Sequence, residues 1–163
     1  MIDRTARNCA AETIRRFVTG QITNKEFIRR YPDSKTDPVI WALDDTVWCL
    51  YDDIRTHKLS GEYALTKEFK TEVARWLMFL YSDAEYQWPQ IGQPGFRQTP
   101  SWFCRVLPFA QKRFERFRCA GDYSVWPFLR PADFEDARRK PILLGGHIQQ
   151  ALGADSPVSS LYL

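Results

Sequence analysis

The chain has 163 residues, 44% of them hydrophobic and 26% charged, enough apolar surface for one self-supporting domain and too much for a disordered segment. Its formal net charge of +3 does not by itself call for a polyanionic partner. The opening MIDRTARNCAAETIRR is charged, and no span approaches the roughly 18 apolar residues of a membrane helix. Neither a secretory leader nor a membrane partner is expected, and the cytoplasm is the expected compartment.

The charge is uneven: residues 1–90 hold 13 Lys+Arg and 14 Asp+Glu, whereas residues 91–163 hold 10 and 6. An acidic-leaning first half thus joins a basic second half. Six tryptophans bring the aromatic share to 15%, and large amphipathic rings serve both as core filler and as anchors at contact surfaces. Cys9, Cys49, Cys104 and Cys119 form no CxxC pair and no zinc-like spacing, and no cofactor is expected. A Cys104–Cys119 bridge requires an oxidising compartment.

Residues 5–18 predict a first helix with Cys9, Ala10, Ile14 and Phe17 inward and Arg15 and Arg16 outward, closed by Gly20. Thr23 and Glu26 form a capping box for a second helix, with Ile22 stapled onto Phe27 across the cap. The stretch Asp37–Leu59 predicts the central helix of the fold. Asp37 stands at the N-cap, Pro38 at the first helical position, and Ile40, Leu43, Val47, Leu50 and Ile54 make an apolar stripe. Its other side carries Asp44, Asp45 and Asp52 beside Trp41 and Trp48.

Thr66 caps a further helix over 67–82, with Phe69, Val73, Trp76, Leu77 and Leu80 inward and a C-terminal half apolar enough to make it the most buried helix. Residues 82–96 hold two prolines and two glycines and predict a long irregular, aromatic-rich loop. A helix opened by Thr99-Pro100 follows, carrying Phe103, Leu107, Ala110, Phe114 and Phe117, kinked or divided at Pro108 and closed by Gly121. Residues 123–129 read as a short strand or extended linker, and Pro131 starts a last helix that Pro141 stops. The expectation is therefore a mainly α, single-domain bundle of five to six helices over 1–150, with a loosely held tail at 151–163.

The run Gly20-Gln21-Ile22-Thr23-Asn24-Lys25-Glu26-Phe27 resembles the G-x-I-T-x-x-E-F turn of short bacterial helical hairpins of the SHOCT type. That resemblance covers about 25 residues and implies a helical hairpin and nothing catalytic. Across residues 15–90, GQITNKEF, LYDDIRTHKL and FLYSDAEYQWP are similar to small stand-alone bacterial proteins of unassigned role. Proteins of this make-up include the immunity proteins that neutralise toxins of rival cells. The chain departs from the commonest immunity pattern in not being strongly acidic overall, which weakens the case for a basic nuclease as the target.

Three surfaces carry candidate function. Trp41, Asp44, Asp45, Trp48 and Asp52 on the acidic helix, with Asp83, Glu85, Tyr86, Trp88 and Arg97 in the long loop, combine aromatic anchors with steering carboxylates, the make-up of a protein contact. The bland reading of the acidic face is a solvated one, and that of the loop is a segment pinned down by its rings. The leading expectation is a non-enzymatic protein-binding module, an immunity-type inhibitor acting by occlusion. As the alternative, Arg105, Lys112, Arg113 and Arg116 form a basic helix, near Phe109, of the kind that grips nucleic acid by phosphate charge and stacking. A third reading places a metal-assisted hydrolase on Asp44, Asp45, Asp52 and His57, with Asp53 and His57 at i,i+4 as half a ligand set. With only His57 and His147 in the chain, no Ser/Cys–His–acid set is indicated.

Overall fold

The computed structural model describes residues 1–52, 54–96 and 108–139. They form six α-helices: α1 (Arg4–Val18), α2 (Asn24–Arg30), α3 (Pro38–Val47), α4 (Lys67–Tyr81), α5 (Pro108–Arg118) and α6 (Pro131–Arg139). Short 3-10 turns lie at Trp48–Leu50, Gly61–Tyr63, Pro94–Phe96 and Tyr123–Val125, and there is no strand among the described residues. The protein is mainly α, as the periodicity predicts. Residues 97–107 and 140–163, which include the start of the expected Thr99 helix, Arg97, Arg105, residues 141–146 and the tail, lie outside the described residues.

The first two helices begin at side-chain caps. Asp3 caps α1, its carboxylate accepting the Ala6 N–H at 3.0 Å and the Ser34 hydroxyl at 2.9 Å. Thr23 accepts the Glu26 N–H at 3.2 Å while Glu26 accepts the Thr23 N–H at 2.9 Å, so the capping box is complete. Gly20 sits at φ +69°, the left-handed conformation a side chain resists, and turns α1 into α2. Ile22 and Phe27 flank that turn, both buried.

α1 is the element the others pack on: it meets α2, α3 and α4, and α4 meets α6. It carries seven buried residues against four in α4, a helix of the same length, and α3 buries six of its ten, so the predicted α4 is not the most buried helix. Its inward positions include Ala10, Ile14 and Phe17, but Cys9 is exposed, its thiol 3.6 Å from the Arg30 carbonyl oxygen. Phe17, Phe27, Tyr31 and Tyr51 form one aromatic cluster, with Phe17 and Phe27 centroids 5.0 Å apart. Trp76, Phe79, Tyr86, Trp88, Phe117, Trp126 and Phe128 fill the other side of the core.

The predicted central helix is half its expected length. α3 ends at Val47, one 3-10 turn runs to Leu50, and Tyr51 turns extended at φ −142°. The chain then crosses to α2, where the buried Asn24 amide donates to the carbonyls of Asp52 at 2.7 Å and Arg55 at 2.8 Å. Asn24 Oδ1 takes the His57 N–H at 3.1 Å, closing a three-point clamp. Ile54, assigned to the apolar stripe, is therefore 87% exposed, while Leu59 reaches the core at 4%.

The loop of residues 82–96 is irregular, as predicted, and it is pinned. Tyr86, Trp88, Ile91 and Pro94 are buried, and the Trp88 indole N–H donates to the Phe128 carbonyl at 3.0 Å. Residues 123–129 form neither a strand nor an extended linker. They make the fourth 3-10 turn and a tight bend through a cis Trp126–Pro127 bond, burying Val125, Trp126 and Phe128.

Candidate functional site

The residues of α3 sort by helical phase. Val39, Ile40, Ala42, Leu43, Thr46 and Val47 are buried, so positions 41, 44, 45 and 48 fall together on the opposite side at spacings of three, four and seven. Pro38 at the first helical position sets that phase without a side-chain cap, because the Asp37 carboxylate is occupied by Arg7. The outward stripe is thus Trp41, Asp44, Asp45 and Trp48.

Across from the stripe, the end of α2 supplies Ile28, Tyr31, Pro32 and Asp33. Together with Ile40 and Tyr51 these residues enclose a groove of ≈ 470 Å³. Ile28 is 49% exposed, Trp41 44% and Trp48 49%, so three of the seven large hydrophobic side chains exposed among the described residues gather at one place. Apolar residues scattered singly over a surface need no explanation, whereas a cluster with a concave floor marks a contact site. Tyr31 holds the α2 side of the groove in position: its hydroxyl donates to the Ile40 carbonyl at 2.9 Å, and its ring rests on Phe27 at 5.1 Å.

The groove is acidic. Asp33, Asp44 and Asp45 line it, and no lysine or arginine does. Partial burial first, and then the neighbouring Asp45 carboxylate, raise the pKa of Asp44. Burial, with help from Asp44, pushes the Tyr31 phenol well above its ordinary value, so it stays a neutral donor. Burial and Asp45 likewise push the Cys49 thiol up, which keeps this exposed cysteine from being a ready nucleophile. Asp45 accepts the Gln93 backbone N–H, which ties the long loop to the edge of the groove.

Of the other residues singled out in the sequence, Asp52 has left the stripe and accepts the Ile54 N–H at 2.7 Å in a local turn. Tyr86 and Trp88 are 8% and 4% exposed and belong to the core, so neither is available to a partner. Asp83 pairs with Arg4 at 2.5 Å and Glu85 lies 3.7 Å from the Met1 ammonium; neither lines the groove. Lys112 and Arg116 are exposed on α5, but the Arg113 guanidinium is taken by the Gln90 carbonyl.

The proposed metal set does not assemble. Asp44 and Asp45 line the groove, Asp52 and His57 lie in the loop beyond α3, and Asp53 lies outside the described residues. No three His, Cys, Asp or Glu side chains converge among the described residues. His57 stacks on Tyr63 at 4.5 Å, with Nδ1 3.1 Å from the Arg55 carbonyl oxygen.

Ile28, Tyr31 and Asp33 completed the groove without having been singled out. The one available signal was Ile28, an apolar residue directly after Phe27 on a helix of seven residues that cannot turn both inward. No α-helix of the described residues is long and apolar enough to cross a membrane. Comparison with protein-family models, with curated proteins and with solved structures finds no match for the chain.

Proposed function

We propose that the protein is a binding module for another protein, with the groove between α2 and α3 as its contact, and that it acts by occlusion in the manner of an immunity-type inhibitor. The observation that carries this reading is the convergence of Ile28, Trp41 and Trp48 on a concave, acidic surface. Tryptophans at the centre of an interface supply the affinity, and carboxylates beside them steer and orient the partner. Site-specific photo-crosslinking in the native host tests it. A photoreactive residue at Trp48 gives one discrete protein adduct, and the same residue at the exposed Glu62 gives none. Equal labelling at the two positions counts against the groove.

The nucleic-acid alternative rests on α5, where Arg113 is already engaged and Lys112 and Arg116 remain open. Mobility shift of single-stranded DNA that weakens steeply with salt would favour it over the groove.

A further inference from the structure

We infer that the occupant of the groove is an arginine side chain presented by the partner protein, its guanidinium lodged between Trp41 and Trp48 against Asp44 and Asp45. This rests on the reading of the groove as a protein contact and adds the chemistry that fills it.

Charge complementarity makes the first part of the case. Three carboxylates and no cation line the cavity, and among the described residues neither Asp44 nor Asp45 has an ion-pair partner. Asp44, Asp45 and Trp48 also stand in the last turn and cap of α3, where the helix dipole favours positive charge. The chain supplies cations at other such ends, with Arg15 and Arg16 closing α1 and Arg29 and Arg30 closing α2, whereas α3 has none. A cation from outside would offset the repulsion between the adjacent Asp44 and Asp45 carboxylates, which adds to burial in raising the Asp44 pKa.

The aromatic walls select the kind of cation. Trp41 and Trp48 are seven residues apart on one helical line, about 10 Å along the axis, with Asp44 and Asp45 between them. A planar guanidinium stacks on indole faces while its N–H fork meets a carboxylate, and it sheds water more readily than an ammonium. Its three-carbon stem covers apolar surface such as Ile28 and Pro32 on the way in. Lysine matches the charge but not the plane.

Blocked tripeptides with leucine on either side of arginine, lysine or citrulline test this. The readout is the indole N–H resonances of Trp41 and Trp48, assigned with Trp41→Phe and Trp48→Phe. The arginine peptide shifts both resonances at millimolar concentration, and the citrulline isostere binds about tenfold more weakly or less. Asp44→Asn weakens the arginine peptide and leaves the citrulline peptide unchanged. Equal binding of arginine and citrulline overturns the cation while leaving the groove as a peptide site. Lysine equal to arginine overturns the guanidinium, and no response to the arginine peptide overturns the inference outright. The crosslink at Trp48 is read separately, so failure of the arginine and failure of the contact are told apart.

Discussion

The guanidinium of Arg7 and the carboxylate of Asp37, thirty residues apart, form an ion pair at 2.6 Å with 0% and 1% of their side chains exposed. Arg7 does more than pair. It donates to the Ser82 carbonyl at 3.2 Å and the Ala84 carbonyl at 2.8 Å, and it lies over the Phe79 ring at 5.1 Å. Arg4 adds bonds to the Leu80 and Ser82 carbonyls at 2.8 and 2.7 Å. Two arginines of α1 thus cap the C-terminus of α4, where orphan carbonyls and the negative dipole end need donors, while Asp37 joins the start of α3 to the same point.

Removing one member of this network leaves the rest buried and unpaired. Arg7→Leu removes the cation from the Asp37 carboxylate and the donor from the Ala84 carbonyl, while the Ser82 carbonyl keeps its bond from Arg4, and a broken buried pair costs about 3–5 kcal/mol. Urea unfolding is expected to show an unchanged slope and a midpoint lowered by that loss divided by the slope. A loss under about 1 kcal/mol would mean that the leucine side chain repacks what the charges held.

The tryptophans separate into two kinds, and substitution distinguishes them. Trp88→Ala and Trp126→Ala empty core positions that are 4% and 2% exposed, and each is expected to cost about 3–5 kcal/mol of stability. Trp41→Ala and Trp48→Ala are expected to stay within about 1 kcal/mol of the wild type, since both rings stand about half in solvent. Their effect belongs to the partner: the Trp48-proximal crosslink disappears in Trp41→Ala although the protein remains folded by circular dichroism.

Gly95 is held between α3 and the core. Its N–H donates to the Thr46 hydroxyl at 3.3 Å, and a Cβ there would fall on the Thr46 methyl and lie 3.2 Å from the Trp126 ring. Gly95→Ala is expected to destabilise by about 1–3 kcal/mol, as overpacking does, and thermal unfolding checks it. Thr46→Ser removes the obstructing methyl while keeping the hydroxyl bond, so Gly95→Ala in that background is expected to recover part of the loss.

These particulars show what a sequence exposes to inspection. Caps and phases are local, so Thr23 and Thr66, and the inward positions Ile14, Phe17, Leu43 and Trp76, follow from spacing alone. The end of α3 does not, because it is set by Asn24, about thirty residues upstream, offering better partners to the Asp52 and Arg55 carbonyls than a helix would. Arg7 reads as one more surface charge on α1 until its partners arrive from α3 and the end of α4. The candidate site was half legible for the same reason: Trp41, Asp44, Asp45 and Trp48 share one helix, and Ile28 and Tyr31 come from another.

The groove also carries a pH dependence whose sign is fixed by Asp44. Its folded pKa lies above the ordinary aspartate value of 3.8, through burial and then Asp45, so the folded chain binds that proton more tightly than the unfolded chain does. Stability from this group therefore falls as pH rises between the two values, and above both the ionised carboxylate is a standing cost. Asp44→Asn is expected to be more stable than the wild type at pH 7, an advantage that vanishes below the ordinary aspartate range. Comparing the pair by urea unfolding cancels the opposite contributions of Asp3, Glu12 and Glu26, whose lowered values stabilise the fold at neutral pH and are lost in acid. Arginine in the groove reverses the preference. It requires Asp44 ionised, with Asp45 and Asp33 alongside and the Tyr31 and Cys49 protons retained, so its binding weakens as pH falls through the raised value. Saturating arginine peptide should pull the Asp44 titration, followed by carboxyl carbon NMR, back toward or below 3.8, and an unmoved titration would place the guanidinium elsewhere.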